Sequence, residues 1–188
     1  SGISFIDLKR GLIDPAIPFR YYFIMIDIVT LGGEVLRQTA EPVQEFDEDL
    51  DTLIQDMADA MRGQGIGLAA PQVGVSQRLF LCQPDGHKLY VFINPEITLT
   101  SEETNPYEEG CLSIPGVWAD VVRPSQVQIQ AFNQKGRPFR IDADGILARV
   151  ILHELDHLNG VLFIDHLSDR KRQKLVKEYQ KEHSIPSV

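Results

Sequence analysis

Between residues 47 and 61 apolar side chains return at helical spacing. Leu50, Leu53, Ile54, Met57 and Met61 fall at i, i+3, i+4, i+7 and i+11, which predicts a helix with one buried face. Asp47 stands where a helix start wants a capping carboxylate. The opposite face carries Asp49, Asp51, Asp56 and Asp59 and reads as a solvated surface. Beyond the glycine run Gly63-Gln64-Gly65-Ile66-Gly67, too flexible for regular structure, the period shortens. Leu79–Cys82 and residues 89–93 are short apolar runs divided by Pro84-Asp85-Gly86, and both predict strands. In Gln126–Phe132, Val127, Ile129 and Ala131 alternate with three glutamines, so this strand has one buried face. Gly136 turns the chain into residues 138–142, its expected hairpin partner. Helical spacing returns near Asp144 with Ile146, Leu147, Val150, Ile151, Leu155 and Leu158, and Gly160 suits the end of that helix. A last helix is expected over about residues 168–182. The order predicts an α+β fold: antiparallel sheets packed around a central helix, flanked by an N-terminal and a C-terminal helix.

Residues 1–24 show no period and contain Pro15 and Pro18, whereas Met25 opens a new apolar run. We read residues 1–24 as a non-native or upstream extension and residues 25–188 as one catalytic domain. The apolar run at residues 21–26 is too short for a membrane span or a secretory core, so no membrane association is expected. A net charge of −9 argues against nucleic-acid binding as the main activity, and no specific DNA partner is expected. Of the two cysteines, Cys82 lies in an apolar strand and reads as core. A metal-binding Cys111 would then preclude a disulfide and fit a reducing cytoplasm.

The chemistry gathers in the central helix. His153-Glu154-Leu155-Asp156-His157 is an H-E-x-x-H string, whose i and i+4 imidazoles share a face and can hold one metal ion. The Glu154 carboxylate sits where a general base for water belongs. A chance match on a surface helix is the alternative, but the apolar neighbours bury this helix, and burying these polar residues without partners would be costly. Cys111, in the loop-like string Glu109-Gly110-Cys111-Leu112-Ser113, offers a third ligand and leaves a fourth position open. On its own a cysteine is more often a small core residue; the adjacent glycine and the Leu112 amide, free to face a reacting oxygen, favour the site. The stretch at residues 65–72 lacks the Lys-Ser/Thr ending of a phosphate loop. Its small residues, Gly67 among them, admit a peptide backbone, and Gln72 can donate a hydrogen bond. A zinc peptidase stays open as an alternative, with Asp165 or His166 as third ligand. His87, His166 and His183 otherwise read as surface residues.

Together the three strings, residues 65–72, 109–113 and 153–157, resemble peptide deformylase of the bacterial type. The likeness runs from about Met25 to the last helix. It implies Cys111, His153 and His157 as metal ligands, Glu154 as acid/base, and Gln72 and Leu112 as the oxyanion site. Ile66, Gly67 and Trp118 would border the peptide cleft, and Arg123 would reach Glu109. The implied reaction releases formate from the N-terminal N-formylmethionine of nascent peptides. The implied metal is Fe2+, with Zn2+, Ni2+ or Co2+ able to replace it. Leu152 departs from the Gln often found before the first His, which predicts altered packing only. The last helix and the residues after it carry six basic and three acidic side chains; given such a substrate, weak ribosome binding through this basic helix is expected.

Overall fold

In the computed structural model, which describes residues 26–84 and 88–183, the first periodic stretch becomes α1 (Glu48–Met61). Asp47 caps it, accepting a hydrogen bond from the Leu50 amide at 3.0 Å. The expectation about residues 1–24 lies outside the described residues, as does His87.

A five-stranded antiparallel sheet has the order β1-β2-β3-β6-β7. Its strands are β1 (Gly67–Ala69), β2 (Leu79–Cys82), β3 (Tyr90–Thr100), β6 (Gln126–Phe132) and β7 (Pro138–Asp144). The strand period of two decides what packs where. Leu79 and Leu81 of β2 face the α1 side, in one core with Leu50, Ile54 and Met57. Phe80 and Cys82 face the other way, into a core with Val127, Ile129, Ala148 and Ile151. The second core is shared with α2 (Gly145–Leu158), so β2 is buried on both faces between two helices.

β3 is longer than the apolar run at residues 89–93 predicts. Pro95 lacks an amide for the ladder, and the chain absorbs it in a register shift between Ile93 and Glu96. Asn94 takes a positive φ of 50° there, and its side-chain amide donates to Val43 O at 2.9 Å. At the end of α2, Gly160 follows the cap residue Asn159 with φ of 72°. A Cβ there would also lie 2.7 Å from Arg37 O, so both conformation and contact require glycine.

A separate hairpin, β4 (Thr104–Cys111) with β5 (Ile114–Pro124), makes the second sheet. The string at residues 109–113, expected as a loop, is therefore the end of β4 and a tight turn into β5. Val117, Ala119 and Val121 on the inner face of β5 form a third core with Leu162, Phe163, Ile164 and Tyr179. Tyr179 belongs to α3 (Asp169–His183), where it is the buried residue; Leu175 and Val176 pack beside it. Arg170, Lys171, Lys174, Lys177 and Lys181 stay exposed. The α+β expectation is met, with α2 between the sheets. No helix among the described residues is long and apolar enough to cross a membrane.

Candidate metal centre and cleft

The hairpin end and α2 meet at three side chains. His153 and His157 lie one turn apart, ring centroids 5.1 Å from each other. Cys111, the last residue of β4, places its Sγ 3.2 Å from His157 Nε2. One ligand atom from each of Cys111, His153 and His157 lies within 4.8 Å of the others.

Glu109 orients the first histidine. His153 Nδ1 lies 2.9 Å from Glu109 Oε2. An ionised carboxylate only accepts, so Nδ1 carries the hydrogen and Nε2 is left for a metal. Burial alone would raise the Glu109 carboxyl, but hydrogen bonds from His153 and Arg123 and the Arg123 charge hold it well below the usual range. Burial disfavours the charged form of His153, yet its hydrogen bonds to Cys111 and Glu109 raise it to about 10; a metal at Nε2 would displace the Nε2 proton. His157 goes the other way. Burial, then the charges of His153, Arg123 and Arg37, keep it well below its ordinary value, as a neutral ligand requires.

Glu154 is buried, and Oε2 has no hydrogen-bond partner among the described residues. Burial raises its carboxyl to about 7, against the lowering charges of His153 and Arg123. That is the range for proton transfer near neutrality. Gly67 makes room for it: a Cβ there would run into Glu154 Oε1 and lie 2.8 Å from Val150 Cγ1. A soft cysteine sulfur with two imidazoles, His153 oriented by Glu109, beside a buried acceptor lacking a partner, fits one divalent metal ion with an open coordination position.

Gln72 stands on a single 3-10 turn, Ala70–Val73. Its Oε1 accepts from the Ala69 amide at 2.8 Å, and its Nε2 donates to Cys111 Sγ at 3.4 Å and Ser113 Oγ at 3.2 Å. A cleft of about 710 Å³ opens over these groups, lined among others by Ile66, Gly67, Leu112, Trp118 and Ile146. Trp118 is 62% exposed. It pairs across the hairpin with Gly110, where a Cβ would lie 2.6 Å from its ring. Trp118 thus stands over a glycine and walls the cleft.

The Glu109–Arg123 pair is present, with Arg123 Nε and Nη2 donating at 2.7 and 2.9 Å. The sequence reading missed the rest of this network. Arg149 also donates to Glu109 Oε1, at 2.8 Å. Asp156 accepts from Arg123 Nη1 at 2.8 Å and lies 2.7 Å from His166 Nε2. A signal existed for Arg149: it lies four residues before His153, on the same face of a buried helix, and a buried arginine must find partners. His166 is exposed, as a surface residue should be, but tied to Asp156. His183 is exposed and stacks on Tyr179. Asp165 binds Arg37 and the Leu162 amide. Neither Asp165 nor His166 joins the His pair, and this disfavours the peptidase alternative.

The family model for polypeptide deformylase matches residues 25–173. A peptide deformylase of Treponema pallidum (strain Nichols) is 46% identical over 155 residues, covering 82% of this chain and 95% of that protein. The crystal structure of a peptide deformylase from Legionella pneumophila matches with a TM-score of 0.80 at 44% identity, over 84% of this chain and 95% of that one. A Synechococcus elongatus peptide deformylase solved in complex with actinonin matches with a TM-score of 0.77, also at 44% identity, over 84% and 85% of the two chains.

Proposed function

The chain belongs to the polypeptide deformylase family, and from that premise we propose how its residues remove the N-formyl group, as formate, from the N-terminal formylmethionine of nascent peptides. The observation that carries the assignment of roles is the convergence of Cys111, His153 and His157, with Cys111 and His153 lining one cleft with Glu154 and Gln72. A divalent metal held by the three ligands would supply Lewis acidity toward water and the formyl oxygen.

The chain supplies the rest. Glu154 takes a proton from the attacking water as the oxygen bonds to the formyl carbon. Charge then grows on the former carbonyl oxygen, where the Leu112 N–H and the Gln72 side-chain amide, turning one N–H from Cys111 Sγ, donate to it; one such donor is typically worth roughly 2.7–4 kcal/mol. Glu154 returns the proton to the leaving amine as the C–N bond breaks, giving formate and a free N-terminal methionine. Ile66, Gly67 and Trp118 form the walls that hold the peptide. Glu109 fixes the ring of His153. The test is formate release from a formyl-Met peptide, measured with metal content. A metal-replete protein that releases no formate overturns this reading.

Gly67→Ala tests the placement of Glu154. The added Cβ must push the carboxylate aside, and strain of about 1.4 kcal/mol corresponds to a factor of about 10 in rate. We expect kcat to fall at least about 10-fold with metal content unchanged; unaltered kcat shows that Glu154 has room to spare.

Fe2+ is the metal we assign in the cell, with Zn2+, Ni2+ or Co2+ replacing it in preparations. The donor types suit all four, and metal analysis of anaerobically purified protein decides between them. We place the enzyme in the cytoplasm, where its substrate arises, and take residues 25–188 as the catalytic domain, supported by the family match from residue 25.

Weak ribosome binding through α3 is the last part of this reading. Leu175, Val176 and Tyr179 anchor α3 to the body and leave a basic face in water. Truncation would remove the buried Tyr179, so charge reversal is the cleaner test. Lys171, Lys174, Lys177 and Lys181 changed together to Glu should abolish salt-sensitive co-sedimentation with ribosomes while leaving cleavage of a short formyl-Met peptide intact. Undiminished co-sedimentation makes α3 an ordinary surface helix.

A further inference from the structure

We propose that Arg149 is a positioning residue for the metal centre: its guanidinium holds Glu109 and the β4–β5 hairpin against α2, and so sets the affinity and geometry with which Cys111, His153 and His157 bind a divalent metal. The proposal rests on the ligand set given above. The physical problem it addresses is one of registration. Cys111 belongs to a two-stranded sheet, whereas both histidines belong to a helix. A metal site tolerates errors of only about 0.2 Å in its bond lengths, so something must lock one element to the other.

Arg149 projects from α2 and binds both strands of the hairpin. Nη1 donates to Glu109 Oε1 at 2.8 Å and to Val121 O at 2.9 Å. Nη2 donates to Asn105 O at 2.9 Å and to the Asn105 side-chain oxygen. Asn105 and Glu109 lie on β4, Val121 on β5. The residue is 6% exposed, and the Tyr107 ring lies 5.5 Å from its guanidinium carbon. These donors go to two main-chain carbonyls, a carboxylate and an amide oxygen, a geometry that suits a planar fork.

Its contact with Glu109 completes that carboxylate. Oε1 accepts from Arg123 Nε and Arg149 Nη1; Oε2 accepts from Arg123 Nη2 and pairs with His153 Nδ1. Two partners on each oxygen leave the carboxylate no freedom to rotate, and the His153 ring inherits that fixed orientation. Arg123 cannot do this alone. It also reaches α2, through Asp156, but it starts from β5 and leaves the Asn105 and Val121 carbonyls untouched.

The test uses the full chain loaded with Co(II), comparing wild type with Arg149→Met and Arg149→Lys. Competition against a chelator gives affinity, the d–d absorption reports ligand geometry, and formate release gives kcat and KM. Arg149→Met should lower Co(II) affinity about 10–100-fold and alter the d–d spectrum. It should also lower kcat with KM for a short formyl-Met peptide nearly unchanged. Arg149→Lys, which can reach Glu109 but not all the carbonyls, should fall between. A folded Arg149→Met protein with wild-type affinity and spectrum overturns the proposal. So does a raised KM with unaltered affinity and spectrum, which would make Arg149 only a wall of the cleft. Should the Met variant fail to fold, Arg149→Lys carries the same readouts, and wild-type values in it overturn the proposal equally. Wild-type protein that binds Co(II) but releases no formate overturns the deformylase reading and leaves the affinity comparison intact. Wild-type protein that binds no Co(II) overturns both.

Discussion

Glu154→Gln should lose at least about 100-fold in kcat, the lower end for a general acid–base group, while keeping a full complement of metal. The amide has nearly the shape of the carboxylate and fits the space left by Gly67. It cannot take a proton from water or return one to the amine. The metal stays because Glu154 is outside the Cys111–His153–His157 group. Stability separates this result from simple damage. Burial raises the Glu154 carboxyl from 4.5 to about 7, so between those values the folded state holds a proton that the unfolded state releases. Folding stability therefore falls as pH rises through that window, and the charged carboxylate is a cost above it. The metal-free Gln variant carries no such charge and should melt no lower than metal-free wild type at pH 8. Formate release, metal analysis and melting curves on the same samples check all three points. Near-normal kcat removes Glu154 from the mechanism; lost metal makes it a structural residue.

What the amino-acid pattern revealed divides along a physical line. α1 and α2 were legible because their apolar residues recur at the helix period, with Asp47 and Gly160 marking ends. β6 was legible because glutamines alternate with Val127, Ile129 and Ala131. The β4–β5 hairpin was not. On β5 the inward positions are Val117, Ala119, Val121 and Arg123, while Trp118 and Val122 point outward at 62% and 61% exposure. A small residue and a charge face inward, and an aromatic and a β-branched residue face water. The usual contrast is thereby weakened, and periodicity gives no clear signal. Arg123 is tolerated inside because Glu109, from the facing strand, is there to pair with it.

The candidate site divides in the same way. Cys111, His153, Glu154, His157 and Gln72 stand in short strings whose residue types announce their chemistry. The brace beneath them is not announced in this way, although Glu109 and Asp156 belong to the same strings. Glu109, Arg123, Arg149, Asp156 and His166 come from β4, β5, α2 and the turn after it, and apart from Arg149 on the buried face of α2 each looks ordinary until the fold brings them together. Only the resemblance to a family pointed to Arg123, and nothing pointed to Asn105, whose main-chain carbonyl and side-chain oxygen both serve Arg149.

Cys111→Ser should cost more metal affinity than the roughly 10–100-fold expected for loss of an outer partner, and should change which metals the protein retains. Serine is close to cysteine in size, and Cys111 is only half-buried at a strand end, so the hairpin should fold as before. The chemistry changes more than the shape. A hydroxyl stays protonated where a thiol ionises readily, and it is a poor donor to Fe2+, Co2+ or Zn2+. The two histidines would be left to hold the ion, with Glu109 still orienting His153. The thiolate-to-metal charge-transfer absorption of the Co(II)-loaded protein should disappear, and formate release should fall in step with metal occupancy. Competition with a chelator, metal analysis and the absorption spectrum measure this directly. Unchanged affinity and an unchanged spectrum would remove Cys111 from the ligand set, and the peptidase-like alternative would then need its third ligand from Asp165 or His166, which bond to Arg37 and Asp156 and lie outside the Cys111–His153–His157 group.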